Sequence, residues 1–544
     1  MTIHARATGL VLHQRRHRLT AAAAVLLVWA GGQALLPLAA QQPSVRFEAF
    51  EATIDDIRSA LGSGQVTCRG VVQQYLARIE AYNQKGPALN AVVTVNPRAP
   101  EEADRLDREG RSGTRGPLHC VPVLVKDQFE TSDMRTTYGS AVFKDFVPRR
   151  NAAVVEKMRA AGAIVIAKST MGEFASGYVG SISGPIRNPY DPRRHASGSS
   201  GGVGAGVAAS LATVGIGEDT GGSIRGPAAA GSLVGLRPTL PLVSRFGMLP
   251  FRPSYDTAGP IARTARDAAI VLDVIAGYDP RDPVTAYAAG QIPSSFEASL
   301  PTSGLQGVRV GVIRHPLLAD TKTDTDDYRN IHQLFDRALV DLSARGASVV
   351  GDVVLPDAAA TIARTYDGNV FEPEPAINGY LAQHPNAPVK TLREILLSGL
   401  VLPSRMRGLL GVVGHSTDEP GYLRVQQETE SLRRTVLGVM ASRRLDVLVY
   451  PTGDTSPGPV APDVMTNPNE GDTRVGSNRT LASVLAFPAV TVPAGFTPDG
   501  MPVGLELMGR PFDDGRLLGM AHAYEQATHH RRPPASTPRL AERR

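Results

Sequence analysis

The sequence predicts an α/β fold in which one extended, mixed β-sheet is covered by helices on both faces. Short apolar runs, typical of buried strands, alternate along the chain with segments in which apolar residues recur at helical spacing. The 544 residues are 42% hydrophobic and 20% charged, which is normal for a globular protein with a substantial core. Together these two observations indicate the fold class.

The individual elements follow in chain order. Thr67 is a candidate N-cap, because the apolar residues after it recur at helical spacing. Residues 152–161 predict a second helix, and residues 163–167 predict a buried strand. Thr264 is expected to cap a helix that includes residues 270–275. Further short apolar strands are predicted at residues 308–313, 349–355, 447–450, 490–492 and 503–507.

Residues 1–40 differ in composition from the rest of the chain. They hold four arginines and no acidic residue, and so account for most of the formal charge of +5. A basic stretch at residues 14–18 precedes an apolar run and the small residues Ala39 and Ala40, which is the layout of a secretory signal peptide. We expect cleavage near Ala40 and export to the periplasm or the medium. The paired arginines suggest twin-arginine export, and an uncleaved membrane anchor is the alternative.

Charge and cysteine content limit the expected partners. Without residues 1–40 the chain is nearly neutral, so nucleic acid is not an expected partner. Cys68 and Cys120 are the only cysteines. An exported chain could pair them, but isolated buried thiols are the expectation in a chain of this length. No Cys/His spacing typical of zinc occurs, and no metal is expected.

Two further segments stand apart from the domain expected over residues 45–530. Residues 365–440 are predicted to be helical, with scattered prolines. We expect them to form an insertion that shapes a pocket entrance, with ordinary helix packing as an equal alternative. The tail at residues 531–544 is polar and proline-rich, which predicts disorder.

A glycine-rich stretch, DTGGSIRGP at residues 219–227, surrounds the candidate nucleophile Ser223. A serine is a weak nucleophile until a base takes its proton. A second serine, Ser200, is the centre of GSSGG at residues 198–202, which formally matches the nucleophile elbow G-x-S-x-G. No strand precedes that stretch, so the match carries little weight.

Lys126 is the candidate base. It ends the apolar run VPVLVK, which predicts a buried strand, in a chain with seven lysines and fifty arginines. An arginine cannot lose its proton, whereas a buried lysine can become neutral and accept one. A surface lysine at a strand end is the alternative interpretation.

Lys126, Ser199 and Ser223 fit a longer ordered pattern. The segments GPLHCVPVLVKDQFETSDMRTTYGS, residues 198–239, GPIAR at 259–263 and MPVGLELMGRPF at 501–512 together closely resemble the amidase signature family. The resemblance runs from about residue 51 to 532 and implies a single amidase signature domain.

The resemblance also implies roles for individual residues. Ser223 is the implied acyl-forming nucleophile, Ser199 the proton relay held by a cis peptide bond, and Lys126 the base. The backbone N–H groups of the loop that ends at Ser223 would form the oxyanion hole. Its other residues are Thr220, Gly221 and Gly222. Asp219 and Arg225 are expected to brace this loop.

The implied function is an exported amidase that uses no metal or organic cofactor. Its partner would be a small-molecule or peptide amide, without stable membrane association after processing. A glutaminase subunit of a tRNA amidotransferase, a carbamate or ester hydrolase, and a non-catalytic binding protein on the same scaffold are the alternatives. The sequence departs from the family at Ala196-Ser197-Gly198, where Pro-Gly-Gly is common, at Glu218, often Thr, and at Cys120, often Gly.

Overall fold

The computed structural model describes residues 47–113, 115–300, 304–318, 320–469 and 477–541. Its strands alternate with helices along the chain. The strands are β1 Val92–Val95, β2 Pro122–Lys126, β3 Ile164–Ser169, β4 Val179–Gly180, β5 Gly184–Pro185, β6 Val214–Asp219, β7 Val234–Arg237, β8 Thr257–Ala262, β9 Arg309–Val312, β10 Ser348–Asp352, β11 Val447–Pro451, β12 Ala489–Phe496 and β13 Pro502–Met508. The helices are α1 Ile54–Gly62, α2 Cys68–Tyr82, α3 Ala99–Arg111, α4 Ala153–Ala160, α5 Gly201–Ala208, α6 Arg225–Ala230, α7 Ala265–Ile275, α8 Asp326–Ala344, α9 Ala358–Ile362, α10 Pro373–Ala382, α11 Leu392–Leu397, α12 Pro403–Leu410, α13 Pro420–Ser442, α14 Thr480–Leu485 and α15 Asp514–Thr528.

One mixed sheet runs through the protein in the strand order β1-β3-β2-β6-β8-β7-β12-β13-β11-β9-β10. Strand β2 is parallel to both β3 and β6, and β9 is parallel to both β10 and β11. The other neighbours in this sheet are antiparallel, and β4 and β5 form a separate hairpin. The predicted mixed sheet is confirmed.

Side chains of the central strands alternate between two cores. On β2, Val123 and Val125 pack in a cluster with residues of α4, α7, α8 and α15, whereas Leu124 packs in another cluster with α2, α3 and α5. Successive side chains of a strand point to opposite faces, so one apolar strand serves both layers. The expected helices on both faces are therefore present.

The predicted helix caps are also confirmed. The Thr67 hydroxyl accepts the N–H of Gly70 at the start of α2, at 3.1 Å. The Thr264 hydroxyl accepts the N–H of Asp267 at the start of α7, at 3.0 Å. Each cap satisfies a backbone donor that has no partner inside its helix.

Helix α5 lies directly against β6 because that strand carries glycines on the facing side. A Cβ on Gly215 would overlap the Val203 side chain, and one on Gly217 would stand 3.0 Å from Ser200 Oγ. This close approach brings the residues just before α5 to the carboxyl ends of β2 and β6.

The expectation of isolated thiols is wrong, because Cys68 and Cys120 form a disulfide. Their Cα atoms lie 5.2 Å apart, across 52 residues of sequence. The start of α2 packs beside the turn that enters β2, and this neighbourhood cannot be read from cysteine spacing.

The C-terminal tail also differs from the expectation of disorder, which is wrong for its described residues. Arg531 pairs with Glu51 at 2.7 Å, and Thr537 is fully buried. The carbonyl oxygens of Thr537 and Pro538 accept hydrogen bonds from Arg78. Backbone contacts with a distant helix order a segment whose composition alone predicts disorder.

The segment at residues 365–440 is helical as predicted and contributes α10 to α13. Its apolar side chains pack against Tyr138, Phe143 and Phe174 of the main body. Within the part of the chain that the structure describes, no helix combines the length and apolar character needed to cross a bilayer. The predicted signal peptide at residues 1–40 lies outside the described residues.

Candidate active site

Two neighbouring parallel strands place a lysine and a carboxylate together. Lys126 is the last residue of β2, and Glu218 lies near the end of β6, which pairs with β2. Both side chains are fully buried, and Lys126 Nζ lies 2.7 Å from Glu218 Oε2. The buried position of Lys126 agrees with the strand predicted from VPVLVK.

The Lys126 amine has three hydrogen-bond acceptors. Besides Glu218 Oε2, it donates to Ser199 Oγ at 2.8 Å and to the Glu218 carbonyl oxygen at 3.3 Å. Burial lowers the pKa of Lys126 below its ordinary value, and the negative charge of Glu218 opposes that shift. The pKa of this lysine is therefore set by two competing effects.

Ser199 stands in the tight loop before α5. The Gly198–Ser199 peptide bond is cis, as the family resemblance implied. A Cβ on Gly198 would overlap the carbonyl oxygen of Gly177, so glycine is required there. Ser200, the rejected candidate, is fully buried, and its hydroxyl donates to the Glu218 carbonyl oxygen at 3.1 Å.

Asp219 organises the loop between β6 and α6. Its carboxylate accepts the N–H groups of Gly222 at 2.8 Å and Ile224 at 3.0 Å, and it pairs with Arg225 and Arg237. Burial favours a raised pKa for Asp219, but the two guanidinium groups hold it well below its ordinary value. Asp219 and Arg225 thus brace the loop, as predicted.

The loop offers fewer free backbone donors than the sequence suggests. Because Asp219 takes the Gly222 N–H, that group does not point at the cavity, contrary to expectation. Within the described residues, the N–H groups of Thr220, Gly221 and Ser223 make no hydrogen bond. These three remain as candidate donors to a substrate oxygen.

Ser223 is half-buried and, with Ser199, lines a cavity of about 670 Å³. Its carbonyl oxygen accepts the N–H of Ser200 at 3.3 Å, which ties the two serine loops together. Among the described contacts Lys126 donates a hydrogen bond to Ser199 Oγ, whereas the Ser199 and Ser223 hydroxyls make no hydrogen bond to each other. Catalytic hydrogen bonds often tighten only when substrate binds.

The site also contains two carboxyl groups, those of Glu218 and Asp256, which the sequence did not assign to it. Thr220 Oγ1 lies 2.6 Å from Glu218 Oε1 and 2.7 Å from Asp256 Oδ1. A hydroxyl donates one proton, so one carboxyl group must supply the proton of the other bond. Burial raises the pKa of Asp256 to about 7, and the charge of Glu218 adds to this shift.

The result is a hydrogen-bonded chain from Asp256 through Thr220 and Glu218 to Lys126 and Ser199, here called the strand-end cluster. Glu218 carried a sequence signal, because it replaces the family's frequent Thr beside the candidate loop. No signal in the sequence placed Asp256, 37 residues beyond Asp219, in contact with Thr220.

Within the described residues, one group of side chains could offer metal ligands. It consists of Cys68, His119 and Cys120. The two sulfurs are bonded to each other, and a metal needs thiolates. This group therefore does not fit a resident metal while the disulfide is formed.

The fold and the site together define an α/β enzyme with a buried lysine and paired serines at the ends of parallel strands. The chain matches the Amidase family over residues 70–518 and belongs to that family. It is accordingly an amide-hydrolysing enzyme, and the resemblance seen in the sequence is confirmed.

The names of proteins similar to this chain describe different activities. A glutamyl-tRNA(Gln) amidotransferase subunit from Ralstonia nicotianae is 34% identical over 519 residues, covering 89% of this chain and 99% of that protein. The native peptide amidase of Stenotrophomonas maltophilia is 35% identical with a TM-score of 0.80, covering 90% and 99%. A bacterial aryl acylamidase, one of the amidase signature enzymes, is 26% identical with a TM-score of 0.72, covering 88% and 96%. Family membership alone therefore does not select a substrate.

Proposed function

We propose that the protein is an exported amidase that cleaves a linear C–N amide through an acyl-enzyme on Ser223. The observation that carries this proposal is the 2.8 Å hydrogen bond between Lys126 Nζ and Ser199 Oγ, beside the Ser223 loop. Through this bond Lys126 can take the proton of Ser199. Ser199 can then take the proton of Ser223 when the two serine hydroxyls come into contact.

The proposed reaction begins with neutral Lys126. Its lone pair takes the proton of Ser199, and Ser199 takes that of Ser223, whose Oγ then attacks the amide carbon. The N–H groups of Thr220, Gly221 and Ser223 donate to the oxyanion that forms. The proton returns through Ser199 to the leaving nitrogen, ammonia or an amine departs, and water hydrolyses the ester on Ser223.

Glu218 positions the base in this scheme. As a neutral amine, Lys126 retains two N–H bonds for the two Glu218 oxygens it already contacts, and its lone pair faces Ser199. The Glu218 charge favours the protonated lysine, so the enzyme should work best on the alkaline side of neutrality.

The proposal is tested by trapping the acyl-enzyme. A serine-reactive fluorophosphonate should label the protein once, and mass spectrometry of peptides should place the adduct on Ser223. The Ser200→Ala variant is the matched control and should still be labelled. Labelling of Ser200, or none at all, would contradict the assignment and revive a binding protein on this scaffold.

A glutaminase role is the second candidate, favoured by the 34% identity to an amidotransferase subunit. The name of that relative marks it as one subunit of a larger enzyme. Purified protein should be assayed alone for ammonia release from glutamine and from a panel of peptide, aryl and alkyl amides, carbamates and esters. Turnover of simple amides without a partner favours the amidase. Activity that is restricted to glutamine favours the glutaminase.

Export is part of the proposal and rests on the layout of residues 1–40 and on the Cys68–Cys120 disulfide, which suits an oxidising compartment. Trp29 is the only tryptophan. If cleavage follows Ala40, the mature protein has no tryptophan and its fluorescence is that of tyrosine. Tryptophan emission from the purified exported protein would show that the segment is retained, as a membrane anchor would be.

A further inference from the structure

The cavity that holds Ser223 is lined by an excess of positive charge. Four arginines reach its wall, whereas Asp367 is the only acidic residue among the described lining residues. The arginines are Arg252, Arg405, Arg407 and Arg479. A cavity built for a neutral amide needs no such excess.

Arg252 is held in place through both its backbone and its side chain. Its own N–H donates to Asp256 Oδ2 at 2.8 Å, and its carbonyl oxygen accepts the N–H groups of Tyr255 and Asp256. The guanidinium carbon lies 4.6 Å from the centre of the Tyr366 ring and 5.3 Å from that of Phe251. The side chain is thus pre-positioned on a rigid turn.

The Arg252 guanidinium keeps hydrogen-bond donors available. The residue is 8% exposed, and within the described residues its side chain makes one hydrogen bond, from Nε to the Asn369 carbonyl oxygen at 3.2 Å. No described carboxylate approaches it within salt-bridge distance. The nearby acid Glu372 is already bonded to Ser254 and Asn369. A buried cation without a counter-ion is costly, although stacking on aromatic rings offsets part of that cost.

Tyr366 connects Arg252 to the reactive loop. A Cβ on Gly221 would overlap the Tyr366 hydroxyl, so this ring ends directly against one of the candidate oxyanion donors. Arg252 lies over the same ring. A substrate whose amide carbonyl lies beside Gly221 is therefore separated from the Arg252 guanidinium by about the width of the Tyr366 ring.

We infer that the acyl part of the substrate carries a carboxylate, which binds Arg252. This inference rests on the proposed amide hydrolysis and adds a substrate class to it: short monoamides of dicarboxylic acids. The planar guanidinium accepts a carboxylate in a paired hydrogen-bonding geometry that lysine cannot reproduce. Arg407, exposed on α12 at the same wall, would attract such an anion towards the cavity.

The test compares matched anionic and neutral substrates. Ammonia release is measured for succinamate, glutaramate and adipamate, and for butanamide, pentanamide and hexanamide. We expect at least one anionic amide to exceed its neutral counterpart by about 10- to 100-fold in kcat/KM, mainly through KM, because hydrogen bonds to charged groups are of this strength. Arg252→Gln should remove most of that ratio, and Arg252→Lys should restore only part of it. The surface variant Arg434→Gln, on α13, is the control and should keep the wild-type ratio.

A second measurement avoids variants altogether. Glutarate should inhibit the wild-type enzyme competitively, and raising the ionic strength should weaken that inhibition. If neutral amides are hydrolysed as well as anionic ones, or if the charge preference survives Arg252→Gln, the inference is wrong while the amidase proposal stands. If no amide is turned over, the proposed function itself has failed.

Discussion

The strand-end cluster and the helical wall at residues 365–440 border the same cavity but are built differently. In the cluster, Lys126 and Glu218 are fully buried and hydrogen-bonded to one another. In the wall, Leu397 is 85% exposed and Leu410 is 57% exposed. The comparison indicates that the chemistry is fixed by neighbouring strands, whereas substrate selection belongs to a surface that can vary without disturbing the sheet.

The two regions also differ in what holds their polar groups. In the cluster the protonation of each ionisable side chain depends on its neighbour, so a change at one position alters the charge of the next. In the wall the side chains that reach the cavity come from short helices packed on an aromatic cluster. Substitutions of similar chemistry should therefore have large effects in the cluster and small ones in the wall.

The largest expected effect is that of Ser223→Ala. Loss of the nucleophile should lower kcat for amide hydrolysis by about 10⁴-fold or more. The unfolding free energy should change by no more than about 1 kcal/mol, because a small loop serine contributes little packing. Ser404→Ala, at a cavity-lining serine of the wall, is the control and should stay within a few-fold of wild type. Near-normal turnover by Ser223→Ala would refute the nucleophile assignment.

Lys126→Arg should have the next largest effect. The guanidinium keeps the charge but cannot accept a proton, so kcat/KM should fall by about 10²- to 10⁴-fold. Lys390→Arg in the wall is the matched control, because that lysine donates only to backbone carbonyl oxygens there. An active Lys126→Arg enzyme with an unchanged pH profile would rule out the lysine base.

These two predictions rest on residues that the sequence identifies on its own. The run VPVLVK marks a buried strand that ends in a lysine, and the glycine pattern around Ser223 marks a tight loop. Strand and helix positions followed from apolar periodicity, with ends displaced by one residue at β9 and by up to four residues at β12. Fully buried strands have few polar residues to mark their boundaries.

Other features depended on contacts between distant parts of the chain. Asp256 reaches Thr220 only because β8 pairs with β6, and Cys120 reaches Cys68 only because α2 packs beside β2. The Gly222 N–H was expected to face substrate, but the carboxylate of Asp219, three residues earlier, takes it. Such choices between competing partners are decided by three-dimensional geometry, which sequence pattern does not carry.

Glu218→Gln should have an intermediate effect that appears in the pH profile. The negative charge of Glu218 raises the pKa of Lys126, against the lowering by burial. Removing that charge lowers the pKa, so more lysine is neutral at a given pH. The rising limb of kcat/KM should move to lower pH by about one unit. Glu430→Gln, on α13 of the wall, should leave the limb in place. A limb that stays fixed or moves to higher pH in Glu218→Gln would contradict the competition described here.

The smallest effect on activity is expected from removing the disulfide, which lies outside both regions. Cys120 has φ of 63°, in the left-handed region that glycine tolerates best, so Cys68→Ser with Cys120→Gly removes the bond and suits the backbone. For a closed segment of 52 residues, loss of the cross-link should cost about 4 kcal/mol of unfolding free energy through the entropy of the unfolded chain.

Neither sulfur faces the cavity, so kcat/KM of the folded enzyme should stay within about twofold of wild type. Denaturant unfolding with and without dithiothreitol measures the first effect, and amide turnover measures the second. If dithiothreitol leaves the wild-type unfolding free energy unchanged, the disulfide makes no contribution to stability. A large loss of turnover in the folded variant would mean that the turn before β2 helps to position Lys126.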